Sequence, residues 1–306
     1  MTNLKRRNFL KAALAIPALT SSNFLFSTSL QKHNKINYTI QAHKLKISLN
    51  AYSFNAPLTN GSMNLDALLE FCSGTIIQAV DLTGYYFPGY PAVPSDEYIY
   101  HIKQKAFRLG LGISGTGVRN DFTDPDEKKR REHITLVKNW IECASKLGAP
   151  VIRIFAGTQN PQGYSWDQVA TWMMKDVQEC VDHGKKHGVV VGIQNHNDFI
   201  KNAADVQKIM KMNSSEWFGL ILDTGSYQTG DPYQQIADTA RYAVNWQLKE
   251  NVFINGVETP ADLGKIIAAI KASGYRGYIP IETLGAGDPK IKVPAFLEKV
   301  QKALVE

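Results

Sequence analysis

The chain has 306 residues, 44% hydrophobic and 20% charged, the proportions of an ordinary globular protein rather than of a coiled coil, a collagen or a disordered chain. Its net charge of +6 is unevenly spread: residues 1–46 hold eight Lys or Arg and no Asp or Glu, so the rest of the chain carries −2. A mildly acidic body argues against a nucleic-acid partner, which calls for a basic face, and no run of about 18 apolar residues beyond the N-terminus marks a membrane span.

Lys5-Arg6-Arg7-Asn8-Phe9-Leu10-Lys11 precedes a short apolar run, Ala12 to Leu19. A basic start followed by a brief, weakly apolar stretch reads as an export signal over residues 1–30. It resembles a twin-arginine signal, with Lys5 where Ser or Thr is more usual. That resemblance implies an exported, periplasmic protein with no stable membrane span after signal removal. Residues 31–43 read as a polar linker and 44–306 as one domain. Cys72, Cys143 and Cys180 are widely spaced in helix-like segments, which fits small buried residues better than a disulfide framework or a zinc site.

From Lys44 strand-like and helix-like segments alternate. The expected strands are Leu45–Leu49, Ile76–Leu82, Gly112–Val118, Pro150–Phe155, Val189–Ile193, Phe218–Leu222, Tyr242–Leu248 and Tyr278–Ile281. Between them run helices at Leu65–Phe71, Tyr98–Leu109, from near Thr123 to Leu147, Trp166–Lys186, Ala203–Met210, Tyr233–Thr239 and Ala261–Ala272, with a last one at Pro294–Leu304. The third is the clearest: Thr123-Asp124-Pro125-Asp126-Glu127 offers a cap and a first-turn proline, Ile134, Val137, Ile141 and Ala144 recur at helical spacing, and Gly148 suits the left-handed position that ends it. Strands such as Val189–Ile193 are apolar throughout, as buried parallel strands are. Eight such units in about 260 residues predict an α/β fold, the closed (β/α)8 or TIM barrel. An open doubly wound sheet would place a glycine-rich turn after the first strand, where this chain has Asn50-Ala51-Tyr52-Ser53-Phe54.

In such a barrel the chemistry sits where strands end. The polar residues there are Asn50 and Tyr52, Asp81 with Tyr85 and Tyr86 beyond it, Arg119, Arg153, Gln194 with Asn195 and His196, Asp223, Asn245 with Gln247 and Lys249, and Glu282. Gln194, Asp223, Gln247 and Glu282 close four consecutive strands and are expected to converge. Two carboxylates and two amide oxygens suit Mn²⁺ or Mg²⁺ better than Zn²⁺; a hydrogen-bonded polar layer without metal is the other reading. His196 offers an acid or base at neutral pH, or a loop hydrogen bond. Lys249 offers a donor to a substrate oxygen, or a salt bridge to Glu282 or Glu250. Arg153 on an apolar strand is expected to pair with a carboxylate. Tyr85 to Pro91 would overhang the mouth, where aromatic faces suit sugar C–H faces.

The stretches Gly192-Ile193-Gln194-Asn195-His196-Asn197-Asp198, Gly219 to Ser226, Asn245-Trp246-Gln247-Leu248-Lys249-Glu250 and Ile279-Pro280-Ile281-Glu282-Thr283-Leu284 resemble the last four strand ends of the xylose isomerase-like sugar isomerase/epimerase family. The resemblance covers essentially the whole barrel. It implies a metal held by Glu, Asp, His and Glu, and two carboxylates that move a proton on and off carbon. Asp223 and Glu282 match that pattern; Gln194 stands for Glu, Gln247 for His, and Ser226 where many members carry His. Glutamine accepts no proton, so the usual 3-epimerisation lacks one partner. The expected activity is proton transfer next to the carbonyl of an unphosphorylated sugar or keto-sugar, metal-assisted, with Glu282, His196 and Lys249 catalytic and Asn50, Tyr52, Tyr85, Tyr86, Arg119 and Asn195 holding a small-molecule sugar. A keto-sugar lyase or hydratase and a non-catalytic carbohydrate-binding barrel are the alternatives. A nuclease of the endonuclease IV type needs several His ligands that are missing near the strand ends. Assembly into a homo-oligomer stays open.

Overall fold

The computed structural model describes residues 45–305, so the expected signal and linker lie outside the described residues. Strands β1 (Lys46–Asn50), β2 (Ala79–Thr83), β3 (Gly112–Gly117), β4 (Val151–Ile154), β5 (Val190–Gln194), β6 (Phe218–Asp223), β7 (Ala243–Lys249) and, after the hairpin β8 (Asn251–Ile254) and β9 (Val257–Pro260), β10 (Tyr278–Glu282) follow one another along the chain. The hairpin apart, they close into a barrel in the order β1-β10-β7-β6-β5-β4-β3-β2, every pair parallel. Helices fill the crossovers: α1 (Asn55–Thr59) and α2 (Leu65–Ser73), α3 (Asp96–Arg108), α4 (Glu127–Leu147), α5 (Trp166–His187), α6 (Ala203–Lys211), α7 (Pro232–Thr239), α8 (Leu263–Ala272) and the closing α9 (Pro289–Val305). The fold is the single-domain (β/α)8 barrel that eight repeated units predict.

Local sequence explains the boundaries. Helix α4 buries Ile134, Val137, Ile141 and Ala144 with Trp140 and Leu147, and stops at Gly148, whose φ of 87° costs a residue without Cβ little. Its cap is Asp126, whose carboxylate accepts the Lys128 amide at 2.8 Å. Pro125 therefore stands just ahead of the helix rather than in its first turn. Helix α3 starts earlier than apolar spacing alone suggests because Ser95 caps it, accepting from the Tyr98 amide at 3.3 Å. Helix α9 begins at Pro289 and runs through Pro294. The hairpin turns on Asn255 and Gly256, with φ of 53° and 76°, the pair of positive angles that a tight two-residue hairpin needs. All three cysteines are buried and free, and among the described residues no helix is long and apolar enough to cross a membrane.

Register decides what meets at the mouth. On adjacent strands Asp223 pairs with Gln247, whereas Glu282 pairs with Lys249. The strands of a barrel are staggered, so the residue two beyond Gln247 on the same face of β7 is the one that stands beside Glu282. Gly192 and Gly219 are also paired across β5 and β6. A Cβ on either would strike Ile221 or Val244 at 2.4 or 2.3 Å, so this glycine pair leaves room for the side chains of Ile221 on β6 and Val244 on β7.

Below the mouth, Asp81 is fully buried near Asn245, whose amide donates to it at 3.4 Å. Burial pushes its carboxyl up to about 7, against the pull of Arg153 and with a further push from Glu282. A carboxyl with a raised folded pKa holds its proton more tightly when folded, so stability falls as pH rises from the unfolded value of about 4 towards about 7. Asp81→Asn, which mimics the protonated form, is expected to flatten that fall; thermal melts at pH 5 and pH 8 with the same spacing in wild type and variant would refute the account. In the outer layer, Arg130 Nε donates to Asp176 at 2.7 Å and Nη1 to the carbonyls of Asp124 and Pro125, with both side chains only 9% exposed. Arg130→Met strands a buried carboxylate and is expected to cost about 3–5 kcal/mol, read from urea unfolding at neutral pH.

Candidate active site at the barrel mouth

An open cleft of about 490 Å³ lies at the C-terminal ends of the strands. Asn50, Tyr52, Tyr85, Arg119, Gln194, His196, Gln247, Lys249 and Glu282 all line it. Asp223 faces an adjoining cleft that shares His196, Lys249 and Glu282.

The four strand-end residues come together through hydrogen bonds. Gln194 Nε2 donates to Asp223 Oδ2 at 2.7 Å and to Gln247 Oε1 at 2.8 Å. Lys249 Nζ donates to Glu282 Oε1 and lies 3.4 Å from Asp223 Oδ2. Of the two partners the sequence offered for Lys249, Glu282 is the one met, while Glu250 pairs with Lys292 at 3.3 Å. All five side chains are under 10% exposed, so water screens these charges little. Burial pulls the Lys249 ammonium down, yet Asp223 and Glu282 outweigh it and hold its pKa above the ordinary lysine value. Lys249 is therefore a charged donor here and no proton acceptor.

A divalent ion needs oxygen lone pairs that converge on one point. Here Asp223, Gln247 and Glu282 each already accept from an N–H donor of the chain itself, Glu282 through Oε1. An ion set among them would also lie close to the Lys249 ammonium. At roughly 4 Å and an effective dielectric near 20, that repulsion is about 8 kcal/mol, enough to cancel the attraction of one of the two carboxylates at the same distance. Only Gln194 Oε1 is left buried and unpartnered among these oxygens. As they stand, the four side chains form the hydrogen-bonded polar layer and do not fit Mn²⁺ or Mg²⁺. Among the described residues, the group of His and carboxylates close enough to share an ion is Glu142, His183 and His187, on α4 and α5 towards the end of the barrel opposite the mouth.

The remaining expected residues divide. Asn50 Oδ1 accepts from the Tyr52 amide at 2.9 Å and so fixes the turn after β1. Tyr52 and Tyr85 meet edge to face, 6.5 Å between centroids, and form an aromatic wall. Arg119 lies over the Tyr85 ring. His196 bonds to Asp198 at 2.7 Å and abuts Phe155. Tyr86, in contrast, does not line the cleft; its hydroxyl donates to Asn55 at 2.8 Å. Phe87 and Tyr90 pack on Trp140, so Tyr85 is the member of its segment that reaches the mouth. Asn195 is wholly buried: its side chain accepts from the Asp223 amide at 2.8 Å and donates to the Asp223 carbonyl at 3.0 Å. Alternation turns it away from Gln194, and it ties the end of β5 to β6.

Arg153 departs from expectation. Among the described residues it makes no ion pair; its Nη1 donates to the Val118 carbonyl at 2.6 Å and Nη2 to the Tyr85 hydroxyl at 2.7 Å, with the guanidinium over the Phe155 ring. Aromatic faces and a carbonyl satisfy it in place of a carboxylate. It lines the cleft with Phe155; Arg153 was expected as structural support, and Phe155, one residue past β4 and two from Arg153, is the wall residue that strand-end reading passed over because it looked for polar side chains.

A closed parallel barrel with a charged, aromatic-walled mouth is the class of protein these features define. Residues 77–300 match the model of the xylose isomerase-like TIM barrel, and the chain belongs to that family. Solved structures with the same fold include 3-keto-D-glucoside 4-epimerase YcjR from E. coli, 16% identical over 85% of this chain and 100% of that one, with a TM-score of 0.68. D-psicose 3-epimerase from Clostridium cellulolyticum H10, in complex with D-tagatose, is 14% identical over 85% and 99%, with a TM-score of 0.71. IolI protein with a bound zinc atom is 16% identical over 85% and 97%, with a TM-score of 0.67. No curated protein matches the chain.

Asn195→Ala removes both bonds that hold the Asp223 backbone and is expected to cost about 1–3 kcal/mol. Urea unfolding of this variant beside Tyr86→Phe separates the two residues: a larger loss from Tyr86→Phe would reverse the assignment.

Proposed function

We propose that this protein catalyses proton transfer at the carbon next to the carbonyl of an unphosphorylated sugar or oxidised sugar, as an isomerase or epimerase. The observation that carries the reading is the Lys249 ammonium held beside the Glu282 carboxylate on the floor of a cleft walled by Tyr52 and Tyr85. Membership of a family whose barrels include sugar epimerases supports it.

In this reading Glu282 takes the proton from carbon, and the C–H electron pair moves towards the carbonyl oxygen. Lys249 donates to that oxygen as negative charge builds on it, the work of a pre-positioned electrostatic stabiliser. His196, at the rim, delivers a proton to the same carbon for epimerisation; for isomerisation it delivers it to the former carbonyl carbon, whose enolate oxygen takes the proton that the adjacent hydroxyl gives up as it becomes the new carbonyl. Tyr52 and Tyr85 cover the sugar's C–H face, and Arg119 and Asn50 take hydroxyls. A second reading, β-elimination from a keto-sugar, is favoured by Gln194: a lyase needs one base and one acid on the leaving group, not two opposed carboxylates. The leader's basic and apolar runs, which read as an export signal, support a periplasmic setting for this chemistry, where unphosphorylated substrates are met.

The test is incubation with ketoses and 3-keto-glycosides in deuterated water, followed by NMR. Deuterium is expected at the carbon next to the carbonyl, and Glu282→Gln is expected to slow its incorporation about 10²–10⁴-fold. Sugar binding without exchange or elimination across the panel would make the barrel a non-catalytic carbohydrate binder.

A further inference from the structure

We propose that Lys249 is the resident cation of this mouth and that the site works without a divalent ion. The cage of Gln194, Asp223, Gln247 and Glu282 surrounds a positive charge that the chain supplies itself, since the ammonium bonds Glu282 and faces Asp223. The lysine reaches that point along a built path. Its backbone amide donates to Thr224 Oγ1 at 3.0 Å. Its stem passes over Gly225, where a Cβ would come within 2.8 Å of Lys249 Cγ and 3.1 Å of the Asn251 carbonyl. Gly225 is in turn held by its own amide, which donates to Asp223 Oδ1 at 3.0 Å. The turn after β6 therefore makes room for this side chain and fixes the carboxylate that receives it.

Gln194 completes the arrangement. As a donor to both Asp223 and Gln247 it does what a carboxylate at 194 is unable to do, because an ionised carboxylate only accepts. To ligate an ion, Gln194 would have to present its oxygen to the cage and give up both bonds. One lysine, two carboxylates and two amides thus form one connected network, in which the ammonium answers part of the charge of the two carboxylates and Gln194 Oε1 alone is left buried without a donor. The ammonium is a directional donor, so it would stabilise an oxygen lying along one N–H rather than chelate two neighbouring oxygens as an ion does. The inference rests on the proton-transfer reading only for that last role; the cation assignment is tested without any sugar.

The experiment is titration of the full chain with Mn²⁺, followed by loss of the free-ion electron paramagnetic resonance signal, in wild type and in His183→Ala, which disables the outer cluster of Glu142, His183 and His187. No binding at or below about 1 mM, or binding that His183→Ala abolishes, upholds the proposal. One ion per chain at micromolar concentration that survives His183→Ala overturns it. As the converse, Lys249→Met with Gln194→Glu, both in the His183→Ala background, is expected to bind Mn²⁺ at least about 100-fold more tightly than His183→Ala alone, and Mn²⁺ is expected to raise its melting temperature while leaving that of His183→Ala unmoved. If that variant does not fold, the wild-type titration alone decides. A manganese site at the mouth would end this proposal and leave the sugar reaction standing; absence of deuterium exchange would end the reaction and leave Lys249 as the resident cation.

Discussion

Parallel pairing around a closed, staggered barrel governs everything at this mouth. It sets Asp223 level with Gln247 and Lys249 level with Glu282, so one strand, β7, serves both neighbours from one face with residues two apart. A slip of one residue would turn Gln247 and Lys249 into the helical layer and bring Trp246 and Leu248 inward. The ion pair between Lys249 and the two carboxylates depends on that register. Buried charges of this kind persist only when each has its partner.

The cleft above combines three kinds of surface. Its floor is charged and hydrogen-bonded, one wall is aromatic through Tyr52 and Tyr85, and the side formed by Arg119 and Arg153 is positive, with neither guanidinium in an ion pair among the described residues. The guanidinium of Arg153 rests on Phe155 and orients the Tyr85 hydroxyl, which links β4 to the segment after β2. Below the floor, Asp81 and Asn245 continue the polar interior. The barrel thus keeps apolar packing on the outer side of its strands, against helices such as α4 and α5, and polar contacts on the inner side near the mouth.

Most of the architecture was legible because it repeats. Apolar runs bounded by glycines such as Gly148 and Gly188 mark strand and helix alternation from short range alone. The hairpin after β7 was legible too and was passed over: Asn255-Gly256 between Ile254 and Val257 is a strong turn signal, but expecting a helix to follow each strand hid it. Asn195 and Tyr86 were misread for another reason. Adjacent polar residues at a strand end point to opposite faces, and only the backbone direction tells which of Gln194 and Asn195 looks inward; Tyr86 lies in the short 3-10 turn Gly84–Tyr86 after β2, which aims it at Asn55 instead of the mouth.

The sequence by itself determined the fold, the identity of the strand-end residues and the loss of a carboxylate at 194, because periodicity and residue type are local properties. It left open whether those residues gather an ion or one another, and whether Arg153 needs a carboxylate. The tertiary structure decided both, because they depend on distances between residues far apart in the chain: Lys249 lies 26 residues past Asp223 and 33 before Glu282, and only barrel closure brings its ammonium between the two.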